Sequence, residues 1–251
     1  MTLEAFAKTR LGRPKRSSSD QDGLTLTVGT IFVKSLALID ERGIANFNIR
    51  DLASTLGVTP AAIYWHVPNR NALISGAINL AFEGVAANLP GDKWQERLHS
   101  LLHAFRQVLR RHPNLAPFVA GEMAYNASFD AELLDEIVAI LEDAGFAGTA
   151  LAEAFNVVIV AMCGFSTQEM ATPVSGQDWQ DLCKQRINSV DQKRYRSLGR
   201  HLDVLANNAL ILRWSSGITQ PLDGAFDMWV TVIIAGMEAM IQKQDSIDVK
   251  R

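Results

Sequence analysis

Apolar residues recur every three or four positions along most of this chain, the spacing that places them on one face of an α-helix. No sustained period-two alternation is present, so strands are not expected. The first amphipathic run predicts a helix over about 25–42, with Ile31, Phe32, Ser35, Leu36 and Ile39 inward and Gly43 as its stop. Asn48 caps a second helix, "IRDLASTL", and "GV" makes a tight turn. Thr59 caps a third, very short helix with Pro60 at its first position, where a missing N–H costs nothing. "HVPN" breaks that helix, because residues before proline avoid the helical region. Asn69 opens a long fourth helix to about 88. Further helices are expected over about 94–111, 116–125, 130–144, 149–170 and 222–242, with weaker ones over 179–187 and 195–208. The reading is all-α: a flexible basic arm (1–23), a small three-helix domain (24–70) and a larger helical bundle (71–251).

Charge sharpens the picture. Residues 1–70 carry nine Lys/Arg against six Asp/Glu, whereas residues 71–251 carry fifteen against twenty-one. The excess is concentrated in "KTRLGRPKR", where Lys8, Arg10, Arg13, Lys15 and Arg16 have no acid between them. A basic arm on an otherwise acidic chain points to a polyanion touched by one end only. No apolar run is read as membrane-spanning and no secretory leader is recognised. The two cysteines, Cys163 and Cys183, match neither a disulfide framework nor a metal spacing, which fits the cytoplasm. Enzymatic arrangements are also missing: there is no Ser/His/Asp set and no Gly-rich phosphate loop, and Glu96–His99 is a lone Glu-x-x-His.

The stretch from Ile49 to His66 reads as a helix-turn-helix. Ala53 is small where the helices cross, Gly57 lies in the turn, and Leu52, Leu56, Val58 and Ile63 supply the lock. Tyr64, Trp65 and His66 then stand side by side. Consecutive helical residues point about 100° apart, so they cannot all follow Ile63 inward. Some must face outward, and a major groove is the physical reason to tolerate that. Trp65 also reads as a wedge between helices, and His66 as a surface residue without a partner. Tyr64 and His66 can donate to phosphate, and an indole can pack on a sugar or a thymine methyl. Arg50 can reach a guanine edge or a phosphate, and Arg70 aims at phosphate. Pro60, Ala61 and Ala62 have no long polar arms and would read shape and methyl groups.

"GRPKR", the first helix, "NIRDLASTLGVTPAAIYWHVPNRNAL" and the helix after it resemble the TetR family of bacterial transcriptional repressors. The resemblance continues more loosely through "WQERLHSLLHAFRQVLRRH" to about residue 171. It implies a homodimer that binds a double-stranded, palindromic DNA operator. It places DNA contacts on Arg50, Thr59, Pro60, Ala61, Ala62, Tyr64, Trp65, His66 and Arg70; Asn48, and Arg13, Lys15 and Arg16 in the basic arm, are further candidates for DNA contact. It also implies dimerisation through the helix over 149–170 and the last helix, both apolar on more than one face.

The resemblance further implies a small-molecule effector in the C-terminal domain. Where members of the tetracycline class hold a metal chelate with polar side chains, this chain has Leu101, Val119 and Ile137, with Phe105 matching a pocket phenylalanine. A metal–drug chelate is therefore not expected. An apolar or aromatic effector is, among Leu101, Phe105, Phe118, Val119, Met123, Ile137 and Phe165, with Glu122 as a polar neighbour, although each apolar member also reads singly as core. His103 and His112 are further polar candidates, and no metal or cofactor is expected. A DNA-binding or interaction module without effector, and an activator, both stay open on the sequence.

Overall fold

A computed structural model describes residues 26–119, 130–170, 182, 185–208 and 222–248. Among these there are no strands. The helices are α1 (Val28–Arg42), α2 (Ile49–Leu56), α3 (Pro60–Tyr64), α4 (Arg70–Phe82), α5 (Trp94–Arg111), α6 (Ala131–Asp143), α7 (Gly148–Met170), α8 (Arg196–Asn208) and α9 (Asp223–Asp248). Two 3₁₀ turns, Ile44–Asn46 and Pro113–Leu115, link α1 to α2 and follow α5. The expected arm, with Arg13, Lys15 and Arg16, lies outside the described residues, as do Glu122, Met123 and Cys183.

Local chemistry explains most boundaries. Thr27 caps α1, its hydroxyl accepting from Thr30 N–H at 3.1 Å. The fourth helix stops at Phe82, not near residue 88. Glu83 leaves the helical region and Gly84 takes a positive φ of 73°. Apolar spacing continues through Val85, Ala86 and Leu89, but as a turning connection packed on the core.

The core is continuous. Ile31, Leu38 and Ile39 of α1 meet Leu73, Ile74, Ala77 and Ile78 of α4. Leu98, Leu101, Leu102, Phe105, Val108 and Leu109 carry the core down α5 towards α6 and α7. Two helices, Gly148–Met170 and the stretch 223–243 of α9, are long and apolar enough on average to cross a membrane, which corrects the sequence expectation. Each nevertheless carries an acid within the bundle: Glu169 on α7 and Glu238 on α9, the latter accepting from Gln95 Nε2 at 2.8 Å. Their apolar content comes from having two covered or coverable faces.

One polar knot ties α5 to α7 and α9. Arg106 is 2% exposed and grips both oxygens of Glu169 with one edge of its guanidinium, Nε to Oε2 at 2.7 Å and Nη2 to Oε1 at 2.6 Å. Arg110 adds a bond to Glu169 Oε1 at 2.9 Å, and both arginines reach Asp223. The Arg106 guanidinium also lies 4.3 Å from the centre of the Phe226 ring. Burial opposes ionisation of Asp223, but the Arg110 and Arg106 contacts outweigh it and hold the carboxyl below its usual range.

Removing one member of a buried pair strands the other charge. Glu169→Ala should therefore cost about 3 kcal/mol in chemical denaturation, whereas Arg106→Met with Glu169→Leu should recover most of that loss. Equal loss in the single and double variants would show that packing, not the stranded charge, sets the effect.

Candidate nucleic-acid interface and C-terminal surfaces

The helix-turn-helix is assembled by short-range bonds. Asn48 Oδ1 accepts from Asp51 N–H at 2.9 Å, while its Nδ2 donates to Asp51 Oδ2, also at 2.9 Å. Arg42 Nη1 meets the same Asp51 oxygen at 2.8 Å and so fastens the end of α1 to the start of α2. Gly57 takes φ 67° and ψ 27°, and nothing lies near its missing Cβ. Glycine is needed there for the backbone conformation, not for space. Val58 N–H then returns to Ala53 O at 3.0 Å, closing α2.

The third helix has five residues. Thr59 Oγ1 accepts from Ala62 N–H at 3.3 Å, and Pro60 fills the first position. Ile63 is fully buried and Val67 goes into the core just beyond the helix. Between them the chain winds tightly, with His66 N–H and Val67 N–H both donating to Ile63 O at 2.9 Å. That turn pushes the three rings outward: Tyr64 is 46% exposed, Trp65 is 89% exposed and His66 is exposed. Trp65 is not a wedge between helices. Ala61 is exposed beside them, and Pro60 and Ala62 are half-buried.

The other expected contacts divide. Arg50 is exposed on α2 and has no ion-pair partner among the described residues. Asn48 and Thr59 use their side chains as caps. Arg70, expected to aim at phosphate, turns inward: Nε donates to Phe47 O at 3.1 Å and Nη2 to Ile44 O at 2.5 Å, with the guanidinium 5.9 Å from the Phe47 ring. It ties the start of α4 to the 3₁₀ turn before α2. That contact spans over twenty residues, and no local pattern announces it.

The expected effector wall is not a single surface. Leu101, Phe105, Val119 and Ile137 are fully buried in the core. Phe118 is 39% exposed instead, because Leu115 and Val119, four apart, take the inner stripe. Phe165 is half-buried and lines an open groove of about 770 Å³ between α7 and α9, with Val157, Val160, Trp229 and Ile233. Val160, Val232, Met228 and Met240 extend an exposed apolar face over the same two helices. A second groove, of about 610 Å³, runs between the α4–α5 connection and α5, where His99, His103, Gln107 and Arg111 face it. His103 stacks on His99 at 4.3 Å, and burial, then the neighbouring imidazole, push its pKa below the usual value. Burial alone raises the Cys163 thiol to about 12, so it stays protonated. Among the described residues no group of three His, Cys, Asp or Glu side chains is placed to hold a metal.

Comparison with known proteins agrees with this architecture. Residues 31–77 match the family model described as bacterial regulatory proteins, tetR family, and residues 87–241 match the tetracyclin repressor-like C-terminal domain. The class E tetracycline repressor of Escherichia coli is 30% identical over 124 residues, which cover 48% of this chain and 58% of that protein. The class C repressor of Escherichia coli is 23% identical over 218 residues, covering 86% and 92%. The matches to the class E and class D repressors thus span only about half of those proteins' length. Among solved structures, apo ActR of Streptomyces coelicolor superposes with a TM-score of 0.69 at 18% identity, covering 87% of this chain and 98% of that one. ActR in complex with actinorhodin gives 0.68 at 18%, covering 86% and 97%. With both family models matched in order along one all-helical chain, this protein belongs to the TetR family of bacterial regulatory proteins.

Proposed function

We propose that this chain is a homodimeric transcriptional repressor that grips a palindromic operator through α2 and α3 and lets go when a small, largely apolar or aromatic molecule binds in its C-terminal domain. The observation that carries the DNA half is the exposure of Tyr64, Trp65 and His66 at and just beyond the end of a helix fixed on both sides. Large rings left in water have no folding benefit, whereas a groove edge offers sugars, methyls and phosphates to meet them. Arg50, with no ion-pair partner among the described residues, supplies a cation on the same motif.

Dimerisation is supported by the apolar face on α7 and α9. Val160 at 70% exposed, with Val232 and Met228, is the kind of contiguous patch that monomeric proteins rarely leave open. A twofold dimer would present two recognition helices to two half-sites. The effector half is supported by the apolar character of the C-terminal domain's interior and by the fold shared with ActR, which has been solved with actinorhodin. An effector acts only through unequal affinity for the DNA-competent and released shapes, with coupling of about 1–3 kcal/mol. The protein would work where the chromosome is, in the cytoplasm.

Selection of bound DNA from a random pool tests the interface. Tyr64→Ala and Arg50→Ala should each relax the preferred sequence and weaken binding by about 1–3 kcal/mol; both variants selecting the parental site at parental strength would refute the assignment. Deleting residues 1–16 should weaken all sequences alike and flatten the salt dependence, since the arm would neutralise phosphates. A loss confined to the preferred operator would contradict that role. Val160→Glu with Val232→Glu should yield monomers in sedimentation and lose operator affinity; a dimer surviving both charges would place the interface elsewhere.

A further inference from the structure

We propose that a polar joint between the end of α5 and the end of α1 sets the orientation of the DNA-binding domain, and thereby the half-site spacing the dimer accepts. The inference rests on the dimeric DNA-binding reading above. Beyond α5 the chain turns at His112, with φ −127° and ψ 61°, into the 3₁₀ turn Pro113–Leu115. His112 Nδ1 lies 2.8 Å from Asp40 Oδ2 on α1. Asn114 Nδ2 donates to two carbonyls of the last turn of α1, Ile39 O at 3.1 Å and Asp40 O at 3.0 Å. Ile39 O also accepts from Gly43 N–H at 2.8 Å, so the joint grips the point where α1 stops.

The reason this matters is mechanical. The chain enters the C-terminal domain through α4, which packs along α1 but only lightly on α5, so that connection alone holds the DNA-binding domain weakly against the bundle. A second attachment away from that connection fixes its orientation. The α5 end is that attachment, and it is firm on its far side: Arg110 in its last turn and Arg106 one turn earlier are locked to Glu169 and Asp223 on α7 and α9. The helices of the apolar face are thus linked by short polar contacts through α5 to α1, which packs directly on α2 and α4. Hydrogen bonds suit this role because they fix angle and distance, where apolar surfaces slide. Asp40 Oδ1 is buried with no hydrogen-bond partner, and the joint as a whole is part-buried, with the His112 side chain 20% exposed and the Asp40 side chain 32% exposed. His112, Asn114 and Asp40 are positioning residues. None belongs to the exposed surface of α2 and α3, so the sequence of a half-site does not depend on them.

The test separates half-site sequence from spacing. Full-length wild type, Asn114→Asp, Asp40→Ala and Asp40→Asn are each used to select DNA from a random pool, and the affinity is then measured on spacers one base pair longer and shorter. Thermal melts followed by circular dichroism check each fold. Wild type should choose one spacing and lose at least about fivefold on the altered spacers, the lower range of typical coupling. Asn114→Asp removes the amide donor and Asp40→Ala removes the acceptor of His112. Both should select the same half-sites with a spacing penalty below about twofold. Asp40→Asn keeps an oxygen for His112 and should retain the parental spacing. The two disruptive variants act on different bonds, so either one that folds decides the matter. Unchanged spacing in a folded disruptive variant overturns the inference, as does loss of half-site sequence and spacing together. A wild type that selects single half-sites with no fixed spacing removes the dimeric reading, and the inference with it.

Discussion

A five-residue helix cannot hold itself in water, because its nucleation is unfavourable and it is far too short to recover that cost along its length. Everything proposed for this protein depends on how α3 is nevertheless held rigid. Thr59 and Pro60 fix its start, Ile63 anchors its one inner face, and Val67 carries the chain into the core immediately afterwards. With both ends pinned and one side chain inside, the intervening rings have nowhere to go but out. Their exposure is a consequence of the shortness of the helix.

The same logic of small, well-placed polar bonds runs through the rest of the molecule. Asn48, Asp51 and Arg42 join the ends of α1 and α2, and Arg70 joins α4 to the turn between them. Asn114 and His112 join α5 to α1, and the Arg106–Glu169 pair joins α5 to α7. The apolar core gives the bulk of the stability, but it is smooth and continuous from α1 to α7. It does not by itself fix the angle between the DNA-reading end and the bundle. Polar contacts at helix ends do, at small cost in surface and with definite geometry.

What could be read from the chain in advance was local. Asn48, Thr59 and Asn69 were legible as caps because capping acts within three residues, and each accepts the expected backbone N–H. Gly57 was legible because a tight turn needs positive φ. The crowding of Tyr64, Trp65 and His66 was legible as an outward face, though not which rings were free; the structure removes the wedge reading of Trp65. Long-range choices were not legible. Arg70 looked like a phosphate ligand because its partners, two carbonyls over twenty residues away, leave no trace in the local pattern. Arg106 sits at a core position that its charge would argue against, and Glu169 and Asp223, far along the chain, make it tolerable. Phe118 was grouped with the apolar wall, although the inner stripe belongs to Leu115 and Val119.

The central claim is that the outward surface of α3 meets DNA. Hydroxyl-radical footprinting of the protein's side chains, read by mass spectrometry with and without a selected operator duplex, addresses it most directly. Trp65 and Tyr64 should oxidise readily in the free protein and be strongly protected on the duplex, while Tyr195, exposed in the C-terminal domain, keeps the same reactivity in both. Equal oxidation of Trp65 and Tyr64 in the free and bound protein would contradict the account.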